Sequence, residues 1–429
     1  MIEKEKVFLI GVFCGEDSRE NYSDSIEELK SLAETAELEI EKVFVQFLAK
    51  PNSSTYLGKG KIREIANQAK SKKIKTLVFN DNLSPAQSRN ISNLTRCNVV
   101  DRTELILDIF AKHAKTKQAK LQVELAQLEY SYTKLKNLWR HLSRIEGGIG
   151  FRGPGEKQIE IDRREIRKRV ALLKSKLEEI KKNSITKRKK RHNFTAVSLV
   201  GYTNAGKSTL FNLLTKEKRF VADQLFATLD STTRAIFLPS KEKVVITDTV
   251  GFIKNLPHKL ISSFHSTLLE VTEADLLLHI VDISHSKLLE HIEAVENVLK
   301  EIGANEKNIL LVFNKCDKLN DKYYKFLRKK LIELYPDSVF ISAKENVGIT
   351  DLVEKLEEFC ERLKKLTTIR VPIQLQSLIS FIHKNAEILE ENFNMKDNEQ
   401  VMRVKIPRRL FPKIQEQIIN YKIKEFINK

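Results

Sequence analysis

The 429-residue sequence lacks the features that define several common protein classes. Its four cysteines are far apart, and no pair has the spacing of a metal site, which excludes a disulfide scaffold and favours a reducing compartment. No segment approaches the roughly eighteen consecutive apolar residues of a membrane-spanning helix. The apolar run in MIEKEKVFLIGVF is too short for a signal peptide. We therefore expect a cytoplasmic monomer with no membrane span.

Acidic residues are scarce relative to basic ones. Lys and Arg total 75 against 57 Asp and Glu, which gives a formal net charge of +18. A protein this basic is usually drawn to polyanions, nucleic acid first and anionic membrane second. The alternative is a Lys-rich proteome in which the charge has no specific partner.

The order of apolar patterns predicts four parts along the chain. Residues 1–104 alternate strand-like and helical runs, which indicates a small α/β subdomain with a parallel sheet. Residues 105–185 carry two heptad seams separated by a glycine-rich stretch, residues 147–157, and this pattern predicts a two-helix antiparallel hairpin whose first helix reaches about 55 Å. A basic linker, NSITKRKKRHN, follows. Residues 193–365 form a second α/β unit, and residues 367–429 a small α+β unit.

The stretch GYTNAGKS has the pattern G-x-x-x-x-G-K-S between a strand-like FTAVSLV and a helix-like TLFNLLT. This is the context of a phosphate-binding loop, in which backbone N–H groups and a helix N-terminus surround the phosphates. The lysine would reach the β- and γ-phosphates, and the serine would hold Mg²⁺. The predicted phosphate-binding residues are Gly201, Tyr202, Thr203, Asn204, Ala205, Gly206, Lys207 and Ser208.

Three further motifs follow predicted strands in the order expected of a GTPase. VVITDTVG places a carboxylate near the Mg²⁺ shell and a glycine N–H near the γ-phosphate. ILLVFNKCD offers a carboxylate that accepts two hydrogen bonds from guanine, a donor pair that adenine lacks. The backbone of the stretch SVFISAKENVG would approach the O6 atom of guanine. The predicted ligand residues are Asp248, Thr249, Val250, Gly251, Asn314, Lys315, Cys316, Asp317, Ser342, Ala343 and Lys344.

These motifs together predict an α/β fold with a phosphate-binding-loop GTPase domain, GTP as substrate and Mg²⁺ as cofactor. The catalytic residues would include Lys207 and Gly251. LFATLDSTTR offers three candidates for a switch threonine that binds Mg²⁺: Thr228, Thr232 and Thr233. The glutamine that orients the attacking water in some GTPases is absent, since Phe252 follows Gly251. Intrinsic hydrolysis should therefore be slow, with the missing group supplied by a partner or by another residue of this chain.

Four stretches, YLGKGKI (Tyr56–Ile62), DRTELILDIF (Asp101–Phe110), GGIGFRGPGEKQIEIDRREIRKR (Gly147–Arg169) and LFATLD (Leu225–Asp230), together resemble the HflX family of bacterial GTPases. The resemblance implies an N-terminal α/β subdomain, a long helical hairpin, a GTPase domain and a small C-terminal domain. It also implies binding to the large ribosomal subunit and dissociation of ribosomes, especially under stress.

The same resemblance assigns the switch residues. FATLD would be the nucleotide-contacting stretch, with Thr228 as the catalytic Mg²⁺ ligand, and a non-polar residue at position 252 is similar to the family pattern. Ser231 departs from the proline usual there. The implied contacts are Phe226, Ala227, Thr228, Leu229 and Asp230.

The stretch GGIGFRGPGEK holds five of the fourteen glycines, yet no strand precedes it and it lacks G-K-[ST]. Its residues predict either an RNA probe, with an aromatic stack and basic phosphate contacts, or a flexible turn beside a solvated basic face. The resemblance favours the first alternative, with the tip directed toward the peptidyl-transferase region of ribosomal RNA. The candidate RNA contacts are Gly150, Phe151, Arg152, Gly153, Lys157, Arg163 and Arg164.

Two further hypotheses compete with a ribosome-dissociating GTPase. One is an assembly or dormancy factor that binds ribosomal RNA, with incidental GTPase activity, and the residue at position 252 is compatible with it. The other is a general RNA-remodelling enzyme, against which the absence of helicase motifs and the guanine-selecting Asp317 both count.

Overall fold

The computed structural model shows three sheets and a long helical hairpin. It describes residues 4–15, 18–145, 154–189, 194–216, 225–226, 228–254, 265–395 and 397–427. Of the predicted site residues, Gly150, Phe151, Arg152, Gly153 and Ala227 lie outside these ranges. None of the helices in these ranges has the length and apolar character required to cross a bilayer.

The N-terminal unit is a four-stranded parallel sheet with the strand order β2-β1-β3-β4. Its first strand is almost continuously buried because helices cover both faces, as in other parallel sheets. The elements are β1 (Lys6–Cys14), α1 (Ser18–Thr35), β2 (Glu39–Leu48), α2 (Lys59–Lys72), β3 (Thr76–Phe79), α3 (Pro85–Thr95), β4 (Asn98–Val100) and α4 (Arg102–His113).

Helix α4 (Arg102–His113) runs across the expected boundary between residues 104 and 105. A capping box starts the helix, because Asp101 accepts from the Glu104 N–H and the Glu104 carboxylate accepts from the Asp101 N–H. Its apolar face, including Ile109 and Phe110, is buried in one cluster with β1 and α1. The residues of α4 from Leu105 onward therefore pack with the N-terminal sheet, in a cluster that also includes Val123 of α5.

The hairpin consists of α5 (Lys117–Ile145) and α6 (Pro154–Lys189). With 29 residues, α5 is about 43 Å long, shorter than expected because α4 is a separate helix. Helix α6 begins at Pro154, a residue suited to a first helical position, so the last four residues of the expected tip are helical. It also continues through most of the expected linker to Lys189, since Lys and Arg are good helix formers.

Buried polar contacts fix the base of the hairpin. The Asp101 side chain is fully buried and accepts from the Tyr130 hydroxyl at 2.6 Å and from Lys134 Nζ at 2.8 Å. Lys134 also pairs with Glu104 at 2.7 Å. Removal of one partner from such a buried pair leaves an uncompensated charge, so α5 is held firmly against α4.

The third unit contains a six-stranded sheet with the order β10-β9-β8-β5-β7-β6, in which only β6 is antiparallel. The parallel strands direct their carboxyl ends to one edge, where the predicted motifs meet. The elements are β5 (Thr195–Gly201), α7 (Lys207–Thr215), β6 (Thr232–Phe237), β7 (Lys243–Asp248), α8 (His265–Thr272), β8 (Leu276–Asp282), α9 (Leu288–Glu301), β9 (Asn308–Asn314), α10 (Asp321–Leu334), β10 (Val339–Phe340) and α11 (Ile349–Leu363).

The C-terminal unit is a three-stranded antiparallel sheet, β11-β13-β12, with two helices. Its first strand begins directly after α11, so the expected boundary at residues 365–367 falls inside that strand. Arg409 attaches the unit to the six-stranded sheet through Asp275 at 2.8 Å. The elements are β11 (Lys364–Pro372), α12 (Gln376–Asn385), β12 (Glu387–Asn394), β13 (Glu399–Pro407) and α13 (Phe411–Ile427).

Substitution of Ile109 tests whether α4 belongs to the N-terminal core. Ile109→Ala should destabilise that unit by about 2–5 kcal/mol, and Ile109→Val by about 1 kcal/mol, because each removes buried methyl groups. Hydrogen exchange read by mass spectrometry should quicken in β1 and α1, more in the Ala variant, and stay unchanged in β5. Unchanged exchange in β1 in both variants would place α4 in a different cooperative unit.

Candidate functional site

The phosphate-binding loop joins β5 to α7 and requires glycine at two positions. Gly201 has φ of +149°, and a Cβ there would lie 2.2 Å from the Ile280 carbonyl oxygen. Gly206 has φ of +96°, and a Cβ there would lie 2.2 Å from Asn314 Nδ2. The loop can therefore pack closely against β8 and β9 only with glycine at both ends.

Lys207, the first residue of α7, is buried inside the loop. Its Nζ donates to the carbonyl oxygens of Gly201 at 3.1 Å and Tyr202 at 2.8 Å. Burial lowers the pKa of Lys207 to about 8, so an anion within reach would strongly favour its charged form. Gly251 lies beside it, since a Cβ at Gly251 would be 3.0 Å from this Nζ.

Three oxygen-bearing side chains meet next to this lysine. The Ser208 hydroxyl lies 2.7 Å from the Thr228 hydroxyl and donates to Asp248 Oδ2 at 2.7 Å. Thr228 Oγ1 is 3.2 Å from the same carboxylate oxygen. Two hydroxyls and one carboxylate form a hard-oxygen donor set, which fits Mg²⁺. The described residues contain no group of three or more His, Cys, Asp or Glu side chains suited to a metal.

The predicted guanine-binding motifs come together at the ends of β9 and β10. Asn314, at the end of β9, connects the phosphate-binding loop to the segment after β10. Its Nδ2 donates to the Ala205 carbonyl and its Oδ1 accepts from the Ala343 N–H. The Ser342 hydroxyl donates to Asp317 Oδ1 at 2.5 Å. Asp317 is exposed at the sheet edge, so its carboxylate is oriented from behind and open to a ligand.

The remaining residues of these motifs either contact neighbouring strands and loops or are exposed to solvent. Lys315 pairs with Asp282 at 2.8 Å at the end of β8, and Lys344 is largely exposed. Cys316 is half-buried behind the motif. Thr249 is buried and donates to the Leu199 carbonyl, and Val250 is buried in the N-terminal cluster.

Phe252, at the position of the missing glutamine, is built into the core. Its side chain is buried with residues such as Val200 and Leu268. Its backbone pairs with the phosphate loop, because the Phe252 N–H donates to the Gly201 carbonyl and the Thr203 N–H donates to the Phe252 carbonyl. This side chain is therefore a structural anchor that has no means of orienting a water.

The sequence did not reveal how strongly the N-terminal unit contacts this site. The Tyr202 hydroxyl donates to Glu28 of α1 at 2.5 Å and accepts from the Lys254 N–H at 2.8 Å. Glu28 in turn pairs with Arg102 at 2.6 Å, and the Tyr202 ring stacks on His291 at 3.8 Å. Burial and the neighbouring Glu28 carboxylate raise the pKa of Tyr202, so its hydroxyl stays a neutral donor.

Some residues of the switch stretch 225–230 face the phosphate-binding loop, and others face the N-terminal unit. Thr228 faces Ser208, but Phe226 packs edge-on against Phe110 with ring centroids 4.7 Å apart. Leu229 is buried in the N-terminal cluster. The side chains of Phe226, Leu229 and Asp230 contact the N-terminal unit and the hairpin, and the nucleotide-contacting role expected of this stretch stays a prediction. The apolar character of Phe226 and Leu229 was the signal that the sequence offered for this packing.

Little of the predicted RNA-contacting tip is described. Lys157 lies in the first turns of α6. Arg163 and Arg167 both contact Tyr132 of α5, with hydroxyl distances of 3.4 and 2.9 Å. Arg164 is exposed. The described part of α6 thus presents a basic surface in which some arginines also hold the hairpin together.

Among solved structures, the chain is similar to a GTP-binding protein from the archaeon Sulfolobus solfataricus in complex with GDP. The two are 27% identical, the match covers 83% of this chain and 99% of that chain, and the TM-score is 0.44. Three family models match successive segments of the sequence. They are described as GTP-binding GTPase N-terminal (residues 23–111), GTP-binding GTPase Middle Region (113–191) and 50S ribosome-binding GTPase (196–315).

Proteins described as GTPase HflX match most of the chain. The protein from Escherichia coli is 41% identical over 94% of this chain and 94% of its own length. The protein from Caldanaerobacter subterraneus is 40% identical over 92% of this chain and 90% of its own length. The protein from Flavobacterium psychrophilum is 48% identical over 74% of this chain and 78% of its own length. The resemblance noted in the sequence is confirmed, and the chain belongs to the HflX family of GTPases.

Proposed function

We propose that this GTPase hydrolyses GTP with Mg²⁺ held by Ser208 and Thr228, and that it acts on the large ribosomal subunit. The observation that carries the catalytic part is the meeting of the Ser208 and Thr228 hydroxyls with Asp248 within 2.7–3.2 Å of one another. A bound Mg²⁺ supplies Lewis-acid stabilisation of phosphate charge. Asp248 orients the two hydroxyls from behind.

The other residues bind and orient the triphosphate. The loop N–H groups and the N-terminus of α7 would surround the β-phosphate. Lys207 would exchange its two carbonyl contacts for phosphate oxygens, and the phosphate charge would further stabilise its protonated form. The Gly251 N–H would contact the γ-phosphate, and the absence of a side chain there leaves room beside Lys207. Asp317 would accept from guanine while Ala343 and Lys344 present backbone to O6.

The chemistry remains slow without a group that orients the attacking water, because Phe252 is buried. We infer that the ribosome supplies or orders that group and so stimulates hydrolysis. The match to a family model described as a 50S ribosome-binding GTPase supports the large subunit as partner, as do the net charge of +18 and the basic surface of α6. The hairpin tip would enter the peptidyl-transferase region, its occupancy would break intersubunit contacts, and hydrolysis would release the protein.

Asp317→Asn should weaken GTP binding by about 100-fold or more, because one of two charge-assisted hydrogen bonds to guanine is lost. The Asn amide can instead donate to the C2 carbonyl of xanthine, so affinity for xanthosine triphosphate should rise. Fluorescent-nucleotide titration measures both. Asp321→Asn, an exposed acid at the start of α10, is the matched control and should bind GTP normally. Retained GTP preference in the Asp317 variant would disprove the guanine assignment.

Thr228→Ala should lower kcat for GTP by about tenfold or more and raise the Mg²⁺ concentration needed for half-maximal rate. GDP affinity should stay within about twofold, because the loop and guanine site are intact. Thr228→Ser keeps the hydroxyl and should retain most of the rate. Thr233→Ala is the control, since that hydroxyl contacts Thr247. A rate loss in the Thr233 variant alone would move the switch ligand to that residue.

Purified large subunits should raise the hydrolysis rate at least about tenfold, and small subunits should not, if the partner completes the site. Arg164→Ala should raise the large-subunit concentration for half-maximal stimulation severalfold through lost phosphate contact, whereas Lys322→Ala on α10 should not. A rate unchanged by subunits would remove the ribosome as activator.

Sucrose gradients distinguish dissociation from an assembly or dormancy role. With GTP or a non-hydrolysable analogue, the protein should convert intact ribosomes to subunits, and the analogue should retain it on the large subunit. Equal dissociation by the GDP-bound protein would contradict a nucleotide switch. Stable binding without dissociation would favour the assembly or dormancy function.

A further inference from the structure

Asp230, two residues after the switch threonine, contacts the hairpin instead of the nucleotide site. Its Oδ2 accepts from the backbone N–H groups of Lys115 and Thr116, both at 3.0 Å. Its Oδ1 accepts from the Thr116 hydroxyl at 2.5 Å. Three hydrogen bonds thus join one carboxylate of the switch to the segment immediately before α5.

That segment is the N-terminus of the first hairpin helix. Thr116 Oγ1 also accepts from the Ala119 N–H at 3.1 Å, and the Thr116 carbonyl accepts from the Lys120 N–H at 3.0 Å. Thr116 is therefore the N-cap of α5. The unpaired N–H groups and the dipole at a helix N-terminus stabilise a carboxylate, so Asp230 serves as an additional cap supplied from another unit.

The chain between this cap and the switch hydroxyl has little freedom. Only Leu229 separates Asp230 from Thr228, and Leu229 is buried in the cluster formed with α4 and α5. Two residues span at most about 7 Å. On the other side, the Leu225 N–H donates to Thr35 Oγ1 at 3.3 Å and Phe226 packs on Phe110. A shift of Asp230 relative to α5 must therefore displace Thr228.

We propose that Asp230 is a positioning residue for GTP hydrolysis: by capping α5 it holds Thr228 in place and couples the switch to the base of the hairpin. The inference rests on the proposed role of Thr228. Because coupling between two sites is reciprocal, a partner bound to the hairpin alters the placement of Thr228 through the same carboxylate. Asp230 contributes to kcat without touching nucleotide or metal.

A double-mutant cycle on the full-length protein tests this proposal. Asp230→Ala and Thr116→Val should each lower kcat for GTP by about threefold to tenfold, with KM and GDP affinity within about twofold. The double variant should lose no more than Asp230→Ala alone, because both substitutions break one contact. Asp230→Asn keeps an acceptor for the N–H groups and should recover part of the rate. Thr116→Ser keeps the hydroxyl and should behave like the parent.

Three outcomes would overturn the proposal. Additive losses in the double variant would mean that the two residues act independently. Equal losses in kcat and GDP affinity, or a normal kcat in Asp230→Ala while Thr228→Ala is impaired, would leave Asp230 without a positioning role. A normal kcat in Thr228→Ala would instead remove the proposed function of the switch threonine, on which this inference depends. Thermal unfolding of each variant, read with GDP bound, separates these effects from loss of fold.

Discussion

A single buried apolar cluster joins the N-terminal sheet, the base of the hairpin and the switch segments of the GTPase domain. Residues from β1, α1 and α4 share it with Val123 of α5 and with Phe226, Leu229 and Ile253 from the loops around the phosphate site. Interiors of this kind are close-packed and transmit displacement rather than absorb it. The switch loops therefore lack the independence of a surface loop, and their conformations are set jointly by nucleotide and by the N-terminal unit. The hydrogen bonds of Tyr202 to Glu28 and of Asp230 to Thr116 lie at the edges of this cluster.

The burial of Phe252 likewise fixes the position of a loop at the phosphate site. A side chain that anchors the segment after Gly251 to the sheet fixes the backbone that would sense the γ-phosphate, at the cost of a group that could orient water. The expected outcome is a site that binds and discriminates nucleotide well but hydrolyses it slowly. In the proposed function, control of hydrolysis would then pass to contacts outside the site, and the hairpin offers a basic surface for such contacts.

The motifs of the proposed nucleotide site are local, and each follows a buried parallel strand, so their meeting place could be predicted from sequence. The motifs that contain Lys207, Ser208, Asp248, Asn314 and Asp317 lie at one edge of the sheet, since the carboxyl ends of such strands share that edge. The contacts with the N-terminal unit were not predictable, because they join residues separated by 114 positions (Thr116 and Asp230) or 174 positions (Glu28 and Tyr202). The start of the hairpin is hard to find in the sequence for a different reason: the apolar pattern of α4 runs into that of α5, although the capping box Asp101–Glu104 marks a helix start. Helix α6 continues through the basic run, and this could not be predicted because a run of like charges is equally typical of a linker.

The geometry of α5 gives the contact at its N-terminus a mechanical consequence. Asp230 binds one end of a helix that is about 43 Å long. Tyr130 and Lys134 fix the same helix to Asp101, up to about 27 Å from Thr116, so the helix cannot pivot freely at Asp230. The first half of α5 therefore moves together with α4 and the N-terminal unit. A displacement of that whole unit, rather than of one side chain, is what would reach Thr228 through Asp230.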